Sequence, residues 1–466
     1  MYVKTVPMPV GIQPFKQEDR IMKKLLVALL SLGLIVAFAM TASAQPTVKF
    51  SGQYYVNGVY EDNRGLGDPS SSKAFYWTRT RVQMLFEIAK GLTFTTRFDA
   101  LERQWGSVNR SSNTTEDKSN SGKINSTNVT LQENIEMEHG YVRFATQVGQ
   151  FTVGYMAANE WGTVFGDTPG SRPAASLAIP VGALTLILKL EKGYEADTVM
   201  YTGTPSWKTD GDGDFYYLGG IFNFKGGSVG LMNAYANLKG NRPAAHFGTE
   251  IYTHLPYIKA TFGPVYLESE LIYQWGKVRK YDSGKGTDID KDGLAFYILA
   301  KANLGPAYVG GQFGYSAGDD GTNATKNKLG KDSSTSWVPA LIFGNANLTS
   351  WQYGATLGSR SAASTNTVNN KQNLILYNIF GGMNVTPKFN IEGAFSFMQA
   401  DKAPTGYVSK DYGYELDVKA SYKIYDNLTY MVGAGYLFTG DYFKGTSSSN
   451  KIGNDYLVMN QLTLNF

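Results

Sequence analysis

Apolar and polar side chains alternate with a period close to two along nearly the whole chain after residue 45. A β-strand sends successive side chains to opposite faces, so this pattern commits the chain to strands. Val48, Phe50, Gly52, Tyr54 and Val56 fall on one face, with Lys49, Ser51, Gln53 and Asn57 on the other. Tyr76, Thr78, Thr80, Val82, Met84, Phe86 and Ile88 oppose Arg79, Arg81, Gln83 and Glu87. After a Lys90-Gly91 turn, Leu92, Phe94, Thr96 and Phe98 oppose Thr93, Thr95, Arg97 and Asp99. Composition agrees. Gly is 52 of 466 residues and charge is 18%, against the usual ~7% and ~25%. The absence of Cys excludes disulfide scaffolds, thiol nucleophiles and Cys-held zinc or iron–sulfur clusters. A net charge of +4 is too slight for a nucleic-acid partner.

One long apolar run interrupts the alternation, from Leu25 to Ala44. It follows Met22-Lys23-Lys24 and ends in Ala42-Ser43-Ala44, the build of a secretory signal peptide, with cleavage expected after Ala44. Residues 1–21 precede a complete signal and read as a misassigned start. Residues 1–44 hold five of the 43 basic and two of the 39 acidic residues, leaving 38 against 37. The expected mature chain, 45–466, is one domain. It has no second run long enough to span a membrane as a helix, which takes about 18 apolar residues.

Tight turns are expected near Lys90-Gly91, Gly149-Gln150, Val181-Gly182, Lys225-Gly226-Gly227, Gly263-Pro264, Gly305-Pro306, Thr386-Pro387 and Tyr425-Asp426-Asn427. Long polar loops lie between, at 61–73, 107–134, 193–212, 276–292, 317–371, 401–411 and 440–454. Short turns at one end and long loops at the other are the layout of an outer-membrane barrel. The fold class is therefore all-β: a transmembrane antiparallel up-and-down barrel of about eighteen strands.

The lipid face offers a check, since Arg or Lys there costs about 2–4 kcal/mol at the midplane. The rows Val265, Leu267, Ser269, Leu271, Tyr273, Trp275; Leu294, Phe296, Ile298, Ala300, Ala302, Leu304; and Tyr412, Tyr414, Leu416, Val418, Ala420, Tyr422 carry no charge. The alternate rows hold Glu268, Glu270, Lys301, Glu415, Asp417, Lys419 and Lys423, and must face a polar lumen. Segments near 135–148, 174–181, 228–238 and 247–262 alternate poorly. The last contains Pro256, which predicts a bulge that shifts the outward row from Thr249, Ile251, Thr253, Leu255 to Ile258, Ala260, Phe262. Aromatics gather at both strand ends, as interface belts require.

The last strand, Tyr456 to Phe466, alternates and ends in Phe. It resembles the signal by which outer-membrane barrels are handed to their assembly machinery. Residues 422–443, YKIYDNLTYMVGAGYLFTGDYF, and 178–192, AIPVGALTLILKLEK, resemble parts of the large porins of the alginate-export type. That resemblance implies eighteen strands, an arginine-rich lumen and passage of anionic solutes.

On strands two to four the inward row carries Arg79, Arg81, Arg97, Arg103 and Arg143, with Glu87 and Asp99. Across an eighteen-strand ring these face Glu268 and Glu270. Arg97 and Arg143 are expected at one height, roughly 15 Å above their turns. A basic wall opposite an acidic one would set a transverse field; alternatively the charges pair along the wall. Glu160, Trp161 and Asp167 lie where alternation breaks and mark a candidate constriction, with 317–371 the other candidate.

Chemistry beyond passage has little support. Asp288-Ile-Asp290-Lys-Asp292-Gly293 starts like a calcium loop but has Leu299 at its twelfth position. Asp210, Asp212 and Asp214 read as solvated acids. His139, His246 and His254 stand alone, and no G-x-S-x-G motif occurs. No metal, cofactor or catalytic residue is expected. The expected function is an outer-membrane porin for passive diffusion of small hydrophilic solutes, anionic ones among the candidates. Its neighbours would be outer-membrane lipid and lipopolysaccharide, as a monomer or a trimer. An export channel for an anionic polymer, a sheath for an electron-transfer partner and an outer-membrane hydrolase are the rivals.

Overall fold

The computed structural model describes residues 46–67, 72–105, 135–195, 211–331, 336–345 and 371–466. The expected leader and its cleavage point, and Asp210, lie outside the described residues.

The strands are β1 Thr47–Glu61, β2 Lys73–Ala89, β3 Leu92–Gln104, β4 Glu136–Ala145, β5 Gln150–Ala158, β6 Gly170–Val181, β7 Leu184–Tyr194, β8 Gly213–Phe224 and β9 Gly227–Leu238. They continue as β10 Phe247–Phe262, β11 Val265–Tyr281, β12 Ile289–Leu304, β13 Ala307–Ser316, β14 Lys326–Asn327, β15 Leu374–Thr386, β16 Phe389–Gln399, β17 Asp411–Tyr425, β18 Leu428–Thr439 and β19 Asp455–Asn465. Apart from β14, a two-residue piece paired in parallel to β12, each strand pairs antiparallel with its chain neighbour. β1 pairs with β19 as well as β2, from Gln53–Asn465 to Glu61–Leu457, so eighteen strands close a ring with no edge. At the seam the Phe466 ring lies over Gly52, where an added Cβ would meet it at 2.6 Å. No described helix is long and apolar enough to cross a membrane; the strands do the crossing.

All eight expected tight turns are present, and the poorly alternating segments form β4, β6, β9 and β10. Three local expectations need correction. No bulge forms at Pro256: β10 keeps one register with β11 from His254–Tyr273 through Ile258–Ser269, and its register shift lies at Gly248/Glu250. The outward row of β10 is therefore Tyr252, His254, Pro256, Ile258 and Phe262, while Ile251 and Leu255 are buried inside. Tyr412 also points inward and is 1% exposed. β17 slips by one residue there, pairing Met398 with Gly413 but Gln399 with Asp411. Gly413 supplies the positive φ of 112° that a side chain resists. Finally, 276–292 is mostly strand, and only 282–288 joins β11 to β12.

The outer surface is an apolar belt, with Phe50, Ile379, Tyr377, Val418 and Leu416 among its exposed side chains. In water such a surface would drive aggregation; in lipid it is the matching face. The interior is not uniformly polar. Ile272, Ala295, Tyr297, Leu376, Met398, Leu437 and Leu457 form a buried cluster along the inner face of β11 to β19. Two loop segments complete it.

Candidate pore and its constriction

The polar part of the lumen lies along β2 to β8. Arg81 on β2 makes a two-pronged contact with Asp99 on β3, Nε to Oδ1 at 2.7 Å and Nη2 to Oδ2 at 2.6 Å. Arg79 lies 3.9 Å from both Asp99 and Glu102, its guanidinium 4.9 Å above the Tyr55 ring. Arg97 reaches Glu138 at 3.5 Å. The row continues through residues that alternation alone did not single out. Arg172 on β6 and Lys189 on β7 both hold Glu191, at 3.1 and 2.5 Å. Lys192 holds Asp212 and Asp214 at 2.7 and 3.1 Å, so these two acids are paired and buried rather than solvated.

The ions are not equally placed. The Asp99 side chain is 1% exposed and that of Arg81 is 27%. Glu191 is 1% exposed and Arg172 is 27%. The strand backbones and neighbouring side chains cover the acids, and the longer basic side chains reach past them to the lumen. The charges do pair along the wall, with the basic member the more exposed at Asp99 and Glu191 and the two members equally exposed at Arg97 and Glu138.

Two members of the expected row sit elsewhere. Arg143 pairs across from Thr93, whereas Arg97 pairs across from His139. Arg143 is thus four positions nearer the tight turns than Arg97, not level with it, because Thr146–Gly149 takes four residues for its turn. Its guanidinium lies 5.6 Å from the Tyr141 ring. Arg103 is buried at the loop end of β3, beyond the break that Leu101 makes with a φ of 55°.

The acidic side is changed more. Glu268 and Glu270 are on the inner row of β11, but both are buried. Glu268 accepts hydroxyl hydrogen bonds from Tyr266 and Tyr297 at 2.7 and 2.8 Å. Glu270 is covered by the β5–β6 loop, so neither Glu268 nor Glu270 offers its carboxylate to the lumen. That loop, 159–169, folds inward against β10, β11 and β12. The Trp161 indole N–H donates to the Leu255 carbonyl at 2.8 Å. Thr163 gives Glu270 its backbone N–H at 2.7 Å and its hydroxyl at 2.8 Å. Phe165 stacks on Tyr297 with ring centroids 5.2 Å apart. Asp167 accepts the Trp161 N–H at 2.7 Å, and burial pushes its carboxyl up to about 6. Glu160 stays exposed at the start of the loop.

The second inward segment, 336–345, comes from the loop between β13 and β15. Its signal in the sequence was Trp337-Val-Pro-Ala-Leu-Ile-Phe343, an apolar run in an otherwise polar loop. Trp337, Leu341, Ile342 and Phe343 are all buried within the barrel. Among the described residues, no group of three or more His, Asp or Glu is placed to hold a metal ion.

No protein-family model and no curated protein matches the chain. Its fold does match solved outer-membrane channels. The Pseudomonas aeruginosa OccK8 (OprE) structure matches 90% of this chain and 98% of its own length, at 11% identity and a TM-score of 0.50. OccK2 (OpdF) of the same organism gives the same coverage at 12% identity and 0.50. The chain thus has the fold of a Gram-negative outer-membrane porin: a closed eighteen-strand barrel with a lipid-facing belt.

Proposed function

We propose that the chain forms a water-filled channel in the outer membrane that passes small hydrophilic, preferentially anionic solutes by passive diffusion, without catalysis. The observation that carries this is the unequal exposure of the ions at two acids of the wall. Arg81 stands in front of Asp99, and Arg172 and Lys189 in front of Glu191, with both carboxylates sealed behind them. A solute leaving bulk water loses hydration energy on entry. A positive wall offsets that loss for anions and adds to it for cations. Binding at each group is weak because every cation already has a partner, so a solute that enters can also leave.

Planar-bilayer recording in a salt gradient tests the proposal. The purified barrel should give discrete conductance steps with a reversal potential on the anion side. Replacing Arg81, Arg97 and Arg172 together by Ala should move that potential toward the cation side. A reversal potential unmoved by all three would sink the basic-wall account.

A further inference from the structure

Three carboxyl groups of the inner wall, far from the basic row, are occupied by loop backbone. Glu270 takes the N–H and the hydroxyl of Thr163. Glu415 on β17 takes two consecutive N–H groups, Ile342 to Oε1 at 2.7 Å and Phe343 to Oε2 at 2.8 Å. Asp417 takes the Leu341 N–H at 3.3 Å. Loop segments drawn out of water must find acceptors for their N–H groups. Here the barrel wall supplies them. The two segments then lean on each other. Phe165 and Trp337 meet edge to face at 5.1 Å. Lys331 donates to the Gly166 carbonyl at 2.8 Å, and the Ser336 N–H points to the Asp167 carbonyl at 3.5 Å.

We infer that Glu270 and Glu415 are positioning residues that set the width of the conducting path. They hold the two inward segments as a single partition against β10 to β18, and solutes pass through the crescent left between this partition and the basic wall. The inference rests on the channel reading and names what fixes the channel's cross-section. At Glu415 a carboxyl group suits the task because each oxygen accepts one N–H, whereas at Glu270 the single oxygen Oε2 accepts both Thr163 donors. A Gln at 415 would turn its NH2 toward one of the two donors, leaving that donor unpaired.

The test is single-channel conductance of the folded Glu270→Leu, Glu415→Gln double variant, in which Leu offers Thr163 no acceptor, with folding checked by the mobility shift on boiling. Freed from its clamps, the partition should vacate part of the lumen, giving a noisier step roughly twofold larger than the parent's. A second pair of substitutions re-ties the segment. A Cβ at Gly435 would lie 3.3 Å from the Leu341 Cβ and 2.6 Å from Asp417 Oδ1, which must turn aside. The first spacing is near the ~3.5–4.5 Å of a disulfide, and the chain has no other Cys. Adding Leu341→Cys and Gly435→Cys to the Glu415→Gln barrel should restore the parental step when oxidised and lose it when reduced. A folded double variant with the parental step overturns the inference, and so does a Cys pair whose step ignores oxidation. A parent barrel that conducts nothing overturns the channel reading itself.

Discussion

At the residue scale, the charged groups were legible as types and positions but not as surfaces. Alternation put Arg79, Arg81, Arg97 and Asp99 on one inner row, which is where they lie. It could not show that Asp99 would be sealed and Arg81 left accessible, because that depends on what packs beside each group. The same limit applies to Glu270, an inner-row acid that alternation gives to the lumen and that a loop covers. Asp167 shows how such burial is felt. Its carboxyl is raised from the ordinary ~3.9 to about 6 by desolvation. The folded loop therefore favours the protonated form. That contribution is full below the ordinary value and is lost as pH rises through about 6. The constriction loop should be steadier at pH 5 than at pH 7. Open-channel current noise should fall with acidification in the parent, and this component should vanish in Asp167→Asn.

At the scale of elements, strands and tight turns followed from local rules. Period-two patterning, Gly and Pro at turns and uncharged outward rows were enough to place all eight turns. The misses are registers. Pro256 has the local chemistry of a bulge, yet the β9 and β10 ladder runs straight past it, with Leu231 opposite. Inside, Leu255 offers its carbonyl to Trp161, a partner that no local pattern around Pro256 announces. The β17 bulge at Gly413 had no local signal beyond the glycine. A Cβ there would overlap the Phe438 carbonyl, and the φ of 112° is costly for any L side chain. Gly413→Ala should lower stability by about 1–3 kcal/mol, read as an earlier urea midpoint for loss of the folded gel band. The same change at Gly311, which lies on the lipid face with ordinary contacts around it, should leave that midpoint nearly unmoved.

At the scale of the molecule, the ring closes because β19 returns to β1 and leaves no strand edge in lipid. Among the described residues, the inner face carries ion pairs along β2 to β8 and an apolar cluster with the two inward segments along β10 to β19. The processing of the chain belongs to this scale too. We propose that residues 1–44 are absent from the membrane-inserted protein. Intact mass of the heat-modifiable band should correspond to a chain starting at Gln45. A mass that includes the Leu25 to Ala44 run would refute cleavage there.

The sequence by itself determined the class of architecture: period-two alternation makes strands, uncharged rows demand lipid, and turn chemistry counts the strands. These are short-range properties, decided within a few residues of each position. Only the tertiary structure decided the channel. Which acids are sealed, that Trp337 to Phe343 buries itself inside the barrel, and that Glu270 meets Thr163 across 107 positions of chain all depend on groups that only the closed ring brings together.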